Sequence, residues 1–402
     1  MLSVDGMSTP PATKLALRPP TEDDFGSPLH DERVVARIGI WLGLCLLIAF
    51  VTGLISHYQQ NPVGWLPLGP SPAGLYRVTQ GAHILTGTLS VPLLLAKLYT
   101  AYPRLFSSPP IRGLVHGLER LSIGVLIAAT SFQLITGLLN IVQWYPWRFS
   151  FTGAHFDLAW VAIGSLLIHI GAKLPVIRRA LGTGLADGQT RPEKYGFDPS
   201  GRTRRDFLVA VFTVAGGIAL LTAGQTVYPL RRLALLAPRR PQLGPQGLPV
   251  NRTAEAAGVT TELTGDAWRL ELIGPAGTRS FSHAELGAMT AHTAELPIAC
   301  VEGWSRKAAW TGVRVRDLVR LAGGDARSSV LIESVEVRGY YRKTRLPAAW
   351  ADDPRTLLAL RLNGEVLHLE HGYPARIIAP DRPGVLQTKW IQRLSVSDGE
   401  TA

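Results

Sequence analysis

Cysteine is almost missing from this chain: 402 residues carry two, Cys45 and Cys300. A disulfide-stapled framework is therefore excluded. A bond between the two is disfavoured as well, because Cys45 lies inside an apolar run far upstream and would have to tie a membrane helix to a soluble domain. Charge is scarce too, at 18% Asp, Glu, Lys and Arg with a mean hydropathy of +0.15, which is low for a wholly soluble chain. Acidic residues are the scarcer sign, 30 against 41 basic, for a net charge of +11. The excess does not describe a nucleic-acid partner, since the arginines gather beside apolar segments and not in a patch with interleaved aromatics. No apolar core follows a basic start, so the first residues are not a cleaved signal peptide; rich in Pro, Thr and Asp, residues 1–33 read as a disordered cytoplasmic tail.

Long apolar runs are what the chain has in abundance. Five are long enough, or nearly so, to cross a bilayer: about Ile38–Ile55, Ala82–Tyr99, Leu121–Val142, Phe156–Leu174 and Phe207–Tyr228. Arg33 and Arg37 precede the first. Lys97, Arg104 and Arg112 separate the second from the third, and a dense set from Lys173 to Arg205 separates the fourth from the fifth. The other two connections hold little more than Arg77 and Arg148, with Trp65, Trp144, Tyr145 and Trp147 nearby as interfacial rings. By the positive-inside rule the N-terminus is cytoplasmic and everything after the fifth span is extracytoplasmic. The organisation expected is a tail (1–33), a four-helix membrane domain (34–180), a cytoplasmic loop (181–205), a fifth span (206–229), a Pro-rich linker (230–249) and a soluble domain (250–402).

That topology sorts the histidines by depth. His83 lies near the outer end of the second span and His116 near the inner end of the third, while His155 and His169 occupy the outer and inner ends of the fourth. His155 and His169 are fourteen residues apart, roughly 21 Å of rise and close to four turns, so they share a helix face. Two pairs result, His83 with His155 outside and His116 with His169 inside. Imidazoles in hydrocarbon need a partner, and an iron of haem b held between two of them is one; interfacial histidines or interhelical hydrogen bonds are the alternative. His57 has no evident partner and reads as interfacial. With Gly81, Gly87, Gly137 and Gly153 beside these segments, as space for a macrocycle or as close helix packing, the spans resemble the four-helix cytochrome b subunits that pass electrons between quinones and a partner redox domain. Two haems b and a quinone or quinol partner are what that resemblance implies.

The fifth span is preceded by Thr203-Arg204-Arg205-Asp206-Phe207-Leu208 and interrupted by Gly216, Gly217 and Gly224. This is similar to a twin-arginine export signal, although paired arginines also serve as plain topology determinants. The resemblance implies the twin-arginine export machinery as a partner and a domain that folds around its cofactor before it crosses.

Beyond the linker the pattern changes to short β-like runs, Trp268–Ile273, Val330–Val337, Thr356–Leu362, Ala375–Ala379 and Trp390–Val396, with helices at Ser282–Met289 and Arg314–Ala322. An α+β domain with a mostly antiparallel sheet follows. Its one thiol, Cys300, is either a small buried hydrophobe or a soft metal ligand. The motifs PIACVEGWS around Cys300, WTGVRVRDL at Trp310–Leu318, HGYPARIIAP at His371–Pro380 and PGVLQTKW at Pro383–Trp390 together resemble the molybdopterin-binding domain of the sulfite oxidase family. The resemblance implies that the Cys300 thiolate binds molybdenum. It also implies that His371, Arg376, Lys389 and Asn251 contact the pterin and that Gly384 admits a close backbone approach.

One departure bears on the reaction. Sulfite-oxidising members follow the cysteine with an arginine-bearing motif, whereas Val301-Glu302-Gly303-Trp304 stands here and is similar to the bacterial methionine sulfoxide reductase branch, whose partner is a membrane haem protein. Arg306 and Lys307 leave an anion site open. Glu302 is a proton source or a hydrogen-bonded scaffold, and Tyr341 is a weaker site candidate. The expected whole is a five-span membrane oxidoreductase that reduces an S- or N-oxide, small or protein-bound, with electrons from quinol. The alternatives are a sulfite-type dehydrogenase feeding the haems and a non-catalytic haem-anchored binding or sensor protein.

Overall fold

The computed structural model describes residues 27–66, 68–107, 109, 111–182 and 204–397. Most of the expected tail and of the arginine-rich loop, with Thr203 of the export motif, lies outside these residues. The five apolar runs form five helices: α1 Glu32–Gln60, α2 Leu75–Ala101, α3 Leu114–Ile141, α4 Phe151–Gly182 and α5 Arg204–Ala223. Each is long and apolar enough to span a membrane, and only 11% to 28% of each apolar window is buried by protein. The rest of those surfaces needs lipid, because water would leave so much apolar area uncovered.

Helix α1 starts where Asp31 accepts the Arg33 N–H at 2.8 Å, an N-cap that satisfies an orphan donor. It packs along α2 and α4, with α3 beside α4 and α5 against α2. Val34, Ile38, Leu42 and Cys45 of α1 meet Leu93 and Ala96 of α2 and Leu208 and Ala215 of α5 in one apolar cluster, so Cys45 is a core residue. The fifth helix ends at Ala223, short of the expected Tyr228. A Cβ at Gly224 would run into the Leu230 carbonyl, and this close approach lets the chain fold back so that the Leu236 N–H reaches the Leu221 carbonyl.

The remainder is the expected α+β unit. Its short helices are α6 Ala254–Ala257, α7 Thr261–Thr264, α8 His283–Ala288, α9 Val315–Leu321 and α10 Ala348–Ala351. The strands are β1 Leu270–Gly274, β2 Gly277–Phe281, β3 His292–Ala299, β4 Ser305–Arg314, β5 Ser329–Ser334, β6 Lys343–Leu346, β7 Leu357–Leu362, β8 Glu365–Val366, β9 Arg376–Ile378 and β10 Ile391–Ser397. One sheet has the order β2-β1-β10-β5-β6 and the other β3-β4-β7-β8, with β9 also on β7; β1 with β10 is the one parallel pair among them. Leu270, Leu272, Leu318, Ile332, Leu358, Ile377 and Leu394 fill a shared core from alternate strand positions and the inner face of α9. The hairpin β3–β4 is an element the sequence reading did not mark, since Pro297 and a run of charges interrupt its alternation. Its turn carries Cys300.

The stretch expected as a linker is packed onto this unit. Leu248 is buried, and the Gln246 side chain donates to the Val366 carbonyl at 2.9 Å while its oxygen accepts the His368 N–H at 2.9 Å. The soluble unit sits on the end of the bundle where α1 and α5 finish and α2 and α4 begin. That is the end carrying His83 and His155.

A candidate active site between the two domains

The turn from Cys300 to Ser305 is closed by two backbone bonds, Cys300 N–H to the Trp304 carbonyl at 2.9 Å and Gly303 N–H to the Cys300 carbonyl at 3.0 Å. Gly303 has φ +95°, which favours glycine, and the absence of a Cβ lets the turn lie on Ile84 and Gln225. Three further bonds hold it to α2 and to the segment just after α5. Gln80 Nε2 donates to the Val301 carbonyl at 2.7 Å, Thr226 Oγ1 to the Gly303 carbonyl at 2.7 Å, and Ser305 N–H to the Gln225 carbonyl at 3.0 Å.

Glu302 is completely buried and takes three donors: Arg239 Nε at 2.9 Å, Trp304 Nε1 at 3.0 Å and Gln143 Nε2. Burial pushes its carboxyl up and Arg239 pulls it back. Cys300 is 1% exposed, and burial, with Glu302 adding to it, pushes the thiol well above its ordinary range. A thiol in this setting loses its proton only to a metal that replaces it.

Behind the turn the expected pterin residues converge. Arg376 is buried, donates to the His371 and Gln387 carbonyls at 3.2 and 3.1 Å, and lies over the Trp310 ring; burial lowers it to about 9. Lys389 donates to the Arg252 and Glu370 carbonyls at 2.5 and 3.0 Å, and burial, then Arg376, lowers it to about 7. His371 Nε2 meets the Pro245 carbonyl at 2.7 Å, and burial lowers it to about 4. At Gly372, φ +106°, a Cβ would press on both Lys389 and Arg376; at Gly384 it would stand 2.8 Å from the Ala299 carbonyl. Two depressed cations facing one space are relieved by a bound anion, which suits a pterin phosphate.

That space is one cavity of about 880 Å³, and it does not stop at the domain boundary. Asn251, Arg252, Tyr341, Arg376, Gly384 and Lys389 line its soluble side, while Gly53, His83, Gly137, Tyr145, His155 and Phe156 line its bundle side. Val301 forms part of the wall, with the Cys300 thiol one residue behind it.

The outer histidines are brought together. The His83 and His155 rings lie 6.1 Å apart at 73°, close to what two metal–nitrogen bonds of about 2 Å require with an imidazole at either end. His83 Nδ1 meets the Ala49 carbonyl at 2.8 Å, the support a ligating imidazole commonly has, and among the described residues buried His155 Nδ1 has no partner. Gly53 and Gly137 stand against these two rings. Of the other expected glycines, Gly87 lines the cavity, Gly81 makes room for Thr226 and Gly153 meets Ser150.

For the inner pair, no ring contact joins His116 and His169 among the described residues. His116 Nδ1 accepts the Arg112 N–H at 3.2 Å, and the Glu119–Lys173 ion pair, at 2.5 Å, lies within electrostatic reach of both rings. Fourteen residues beyond His83 on α2 stands Lys97, a cation within electrostatic reach of His169, where an outer-type pair would place a second imidazole. Arg306 lies over the Tyr228 ring at 5.2 Å, and Arg239 stands beside Glu302. Lys307 pairs with Glu295 at the surface, and His57 stacks on Phe156 at 3.8 Å. Sequence reasoning missed Tyr76, Gln80, Gln143, Arg239 and Asp381, whose partners lie in the other domain.

Residues 257–402 match the family described as oxidoreductase molybdopterin binding domain. Mitochondrial sulfite oxidase of Drosophila melanogaster is 34% identical over 100 residues, 23% of this chain and 18% of that protein. Nitrate reductase (NADPH) of Neurospora crassa is 33% identical over 100 residues, 23% and 10% of the two chains. A putative protein-methionine-sulfoxide reductase subunit of Azospira oryzae is 31% identical over 141 residues, 34% and 52%. The chain thus spans between 10% and 52% of the length of these relatives.

Proposed function

We propose that the chain, whose residues 257–402 match the oxidoreductase molybdopterin binding domain family, is a molybdopterin oxidoreductase that exchanges electrons between the membrane quinone pool and an extracytoplasmic substrate. The observation that carries this reading is the single cavity lined by pterin residues on one side and by the His83–His155 pair on the other. Cys300 is the molybdenum ligand, Arg376, Lys389, His371 and Asn251 hold the pterin, and His83 with His155 holds one haem b. The inner pair His116 and His169, near the Glu119–Lys173 ion pair, is not assigned a second.

A molybdenum centre held by Cys300 would supply two-electron oxygen-atom transfer, and a haem held by His83 and His155 would carry those electrons one at a time. An S- or N-oxide is the substrate class: its oxygen leaves as water, with two protons and the two electrons that quinol gives up. The name of the Azospira oryzae relative supports this direction, as does the placement of Arg306 away from the turn. Arg239, a guanidinium held at the turn, favours a second reading in which sulfite is oxidised and the haem reduced. The export route follows from Arg204 and Arg205 at the start of α5.

Metal analysis and an optical spectrum of one purified sample test the assignment. Cys300→Ser is expected to lose turnover and keep the haem band. A wild-type protein without molybdenum, or without haem, overturns it, and haem reduction by sulfite selects the second reading.

A further inference from the structure

The first turn of α2 has no cap of its own. Gly74 stands at the N-cap without a side chain to accept, and the acceptor comes from the other domain: Asp381 takes the Tyr76 N–H on Oδ1 and the Gln59 amide on Oδ2, both at 2.6 Å. This foreign cap fixes the position of Tyr76. The residue is 1% exposed, and its phenol oxygen is buried with no hydrogen-bond partner among the described residues. An unpaired buried hydroxyl costs about 1–3 kcal/mol, so such groups are rare without a reason.

The surroundings supply one. The Tyr76 phenol lies within electrostatic reach of the Cys300 thiol, the Tyr341 phenol and the Asp381 carboxylate. Tyr145 also reaches Cys300 electrostatically, but its hydroxyl is already committed to Asn140 at 2.9 Å. Tyr76, Gln80 and His83 follow at i, i+4 and i+7 and share one face of α2. Along that face Gln80 grips the Val301 carbonyl, and His83 meets His155 about two turns, roughly 10 Å, from Tyr76.

We propose that Tyr76, a residue of the membrane domain, completes the molybdenum pocket by offering its phenol O–H as a hydrogen-bond donor to the substrate oxygen. The inference rests on the molybdenum reading of Cys300 and extends it, since the pocket is then incomplete in a soluble domain separated from its helices. Tyr341 lines the cavity from the soluble side, and Gln80 and His83 line it from α2.

Tyr76→Phe tests it, because the ring and its packing remain and only the hydroxyl goes. In the full-length holoprotein the expected results are an unchanged molybdenum content and haem band, about a tenfold lower kcat with KM nearly constant, and a loss of exchangeable-proton coupling in the Mo(V) paramagnetic signal compared in H2O and D2O. Tyr145→Phe is expected to retain that coupling. A Tyr76→Phe protein that loads normally and keeps both the wild-type coupling and kcat overturns the role of Tyr76 while leaving the molybdenum reading intact. Wild-type protein without molybdenum overturns both. Should Tyr76→Phe fail to load, Asp381→Ala gives the decision instead: it releases the cap, and an undiminished coupling in it refutes the proposal.

Discussion

Replacing Gly303 by alanine asks whether the Cys300 turn is held against the membrane helices. A residue with a side chain at φ +95° carries about 1–2 kcal/mol of backbone cost whether the turn is docked or free. The new methyl group adds a second cost only in the docked state, since it would stand 2.8 Å from Ile84 Cγ1 and 2.9 Å from Gln225 Nε2. Overpacking of this kind costs about 1–3 kcal/mol. Lifting the turn off α2 and off the segment after α5 would instead forfeit three hydrogen bonds, to Gln80, Thr226 and Gln225, at about 1 kcal/mol each. The two costs are of similar size, so the docked state should weaken by about 2 kcal/mol, roughly thirtyfold in its population. The backbone cost alone should lower the midpoint of thermal unfolding by about 2–8 °C. The assay pairs that midpoint with the rate at which substrate reoxidises reduced haem, expected to fall while the haem band itself is unchanged. Gly287→Ala is the control, at a position where the methyl group meets nothing within 4 Å. A Gly303→Ala protein matching wild type in both measurements would refute the idea that the turn is clamped between the domains.

Three further outcomes are expected. Burial raises Asp381 to about 6 from an ordinary value of 3.8, so the folded protein holds this proton more tightly than the unfolded chain. Its contribution to stability is therefore present below pH 4 and lost as pH rises to 6; Asp381→Asn should gain thermal stability relative to wild type between pH 4 and 6.5, and a constant difference would contradict it. His155→Ala should abolish the haem band and His169→Ala should retain it, a result reversed if the band depends on His169. Lysine at both Arg204 and Arg205 keeps the charge and removes the planar guanidinium pair; the soluble domain should then be stranded inside and resist protease added to spheroplasts, whereas full external exposure would show that α5 is an ordinary span.

Much of this architecture is written locally. The apolar runs announce the helices, and His371, Arg376, Gly384, Lys389 and Cys300 each sit in a short motif, so their roles are proposed from contiguous residues. Depth is legible as well, because charge at the helix ends sets it, and this suffices to pair His83 with His155. Azimuth is not. Placing His116 and His169 at one depth says nothing of which way each ring turns, and there the Glu119–Lys173 ion pair lies within electrostatic reach of both. Residues that act across the domain boundary leave still less trace: Gln59 and Asp381, or Gln143 and Glu302, are paired by how two units rest on each other, and no periodicity records it.

Residues Gln225 and Thr226, which clasp the turn, follow α5 almost directly. The tether between the two units therefore begins inside the surface it serves, and the docking partner is always present at a high local concentration, of millimolar order for short connections. A handful of bonds to backbone carbonyls is enough under that condition, where two separate chains would need a broad apolar face to find and keep each other at cellular dilution. Covalent linkage thus relaxes the demand for affinity. It leaves the joint free to specialise in alignment, and cutting the chain after α5 should convert a permanent contact between the two units into a transient one.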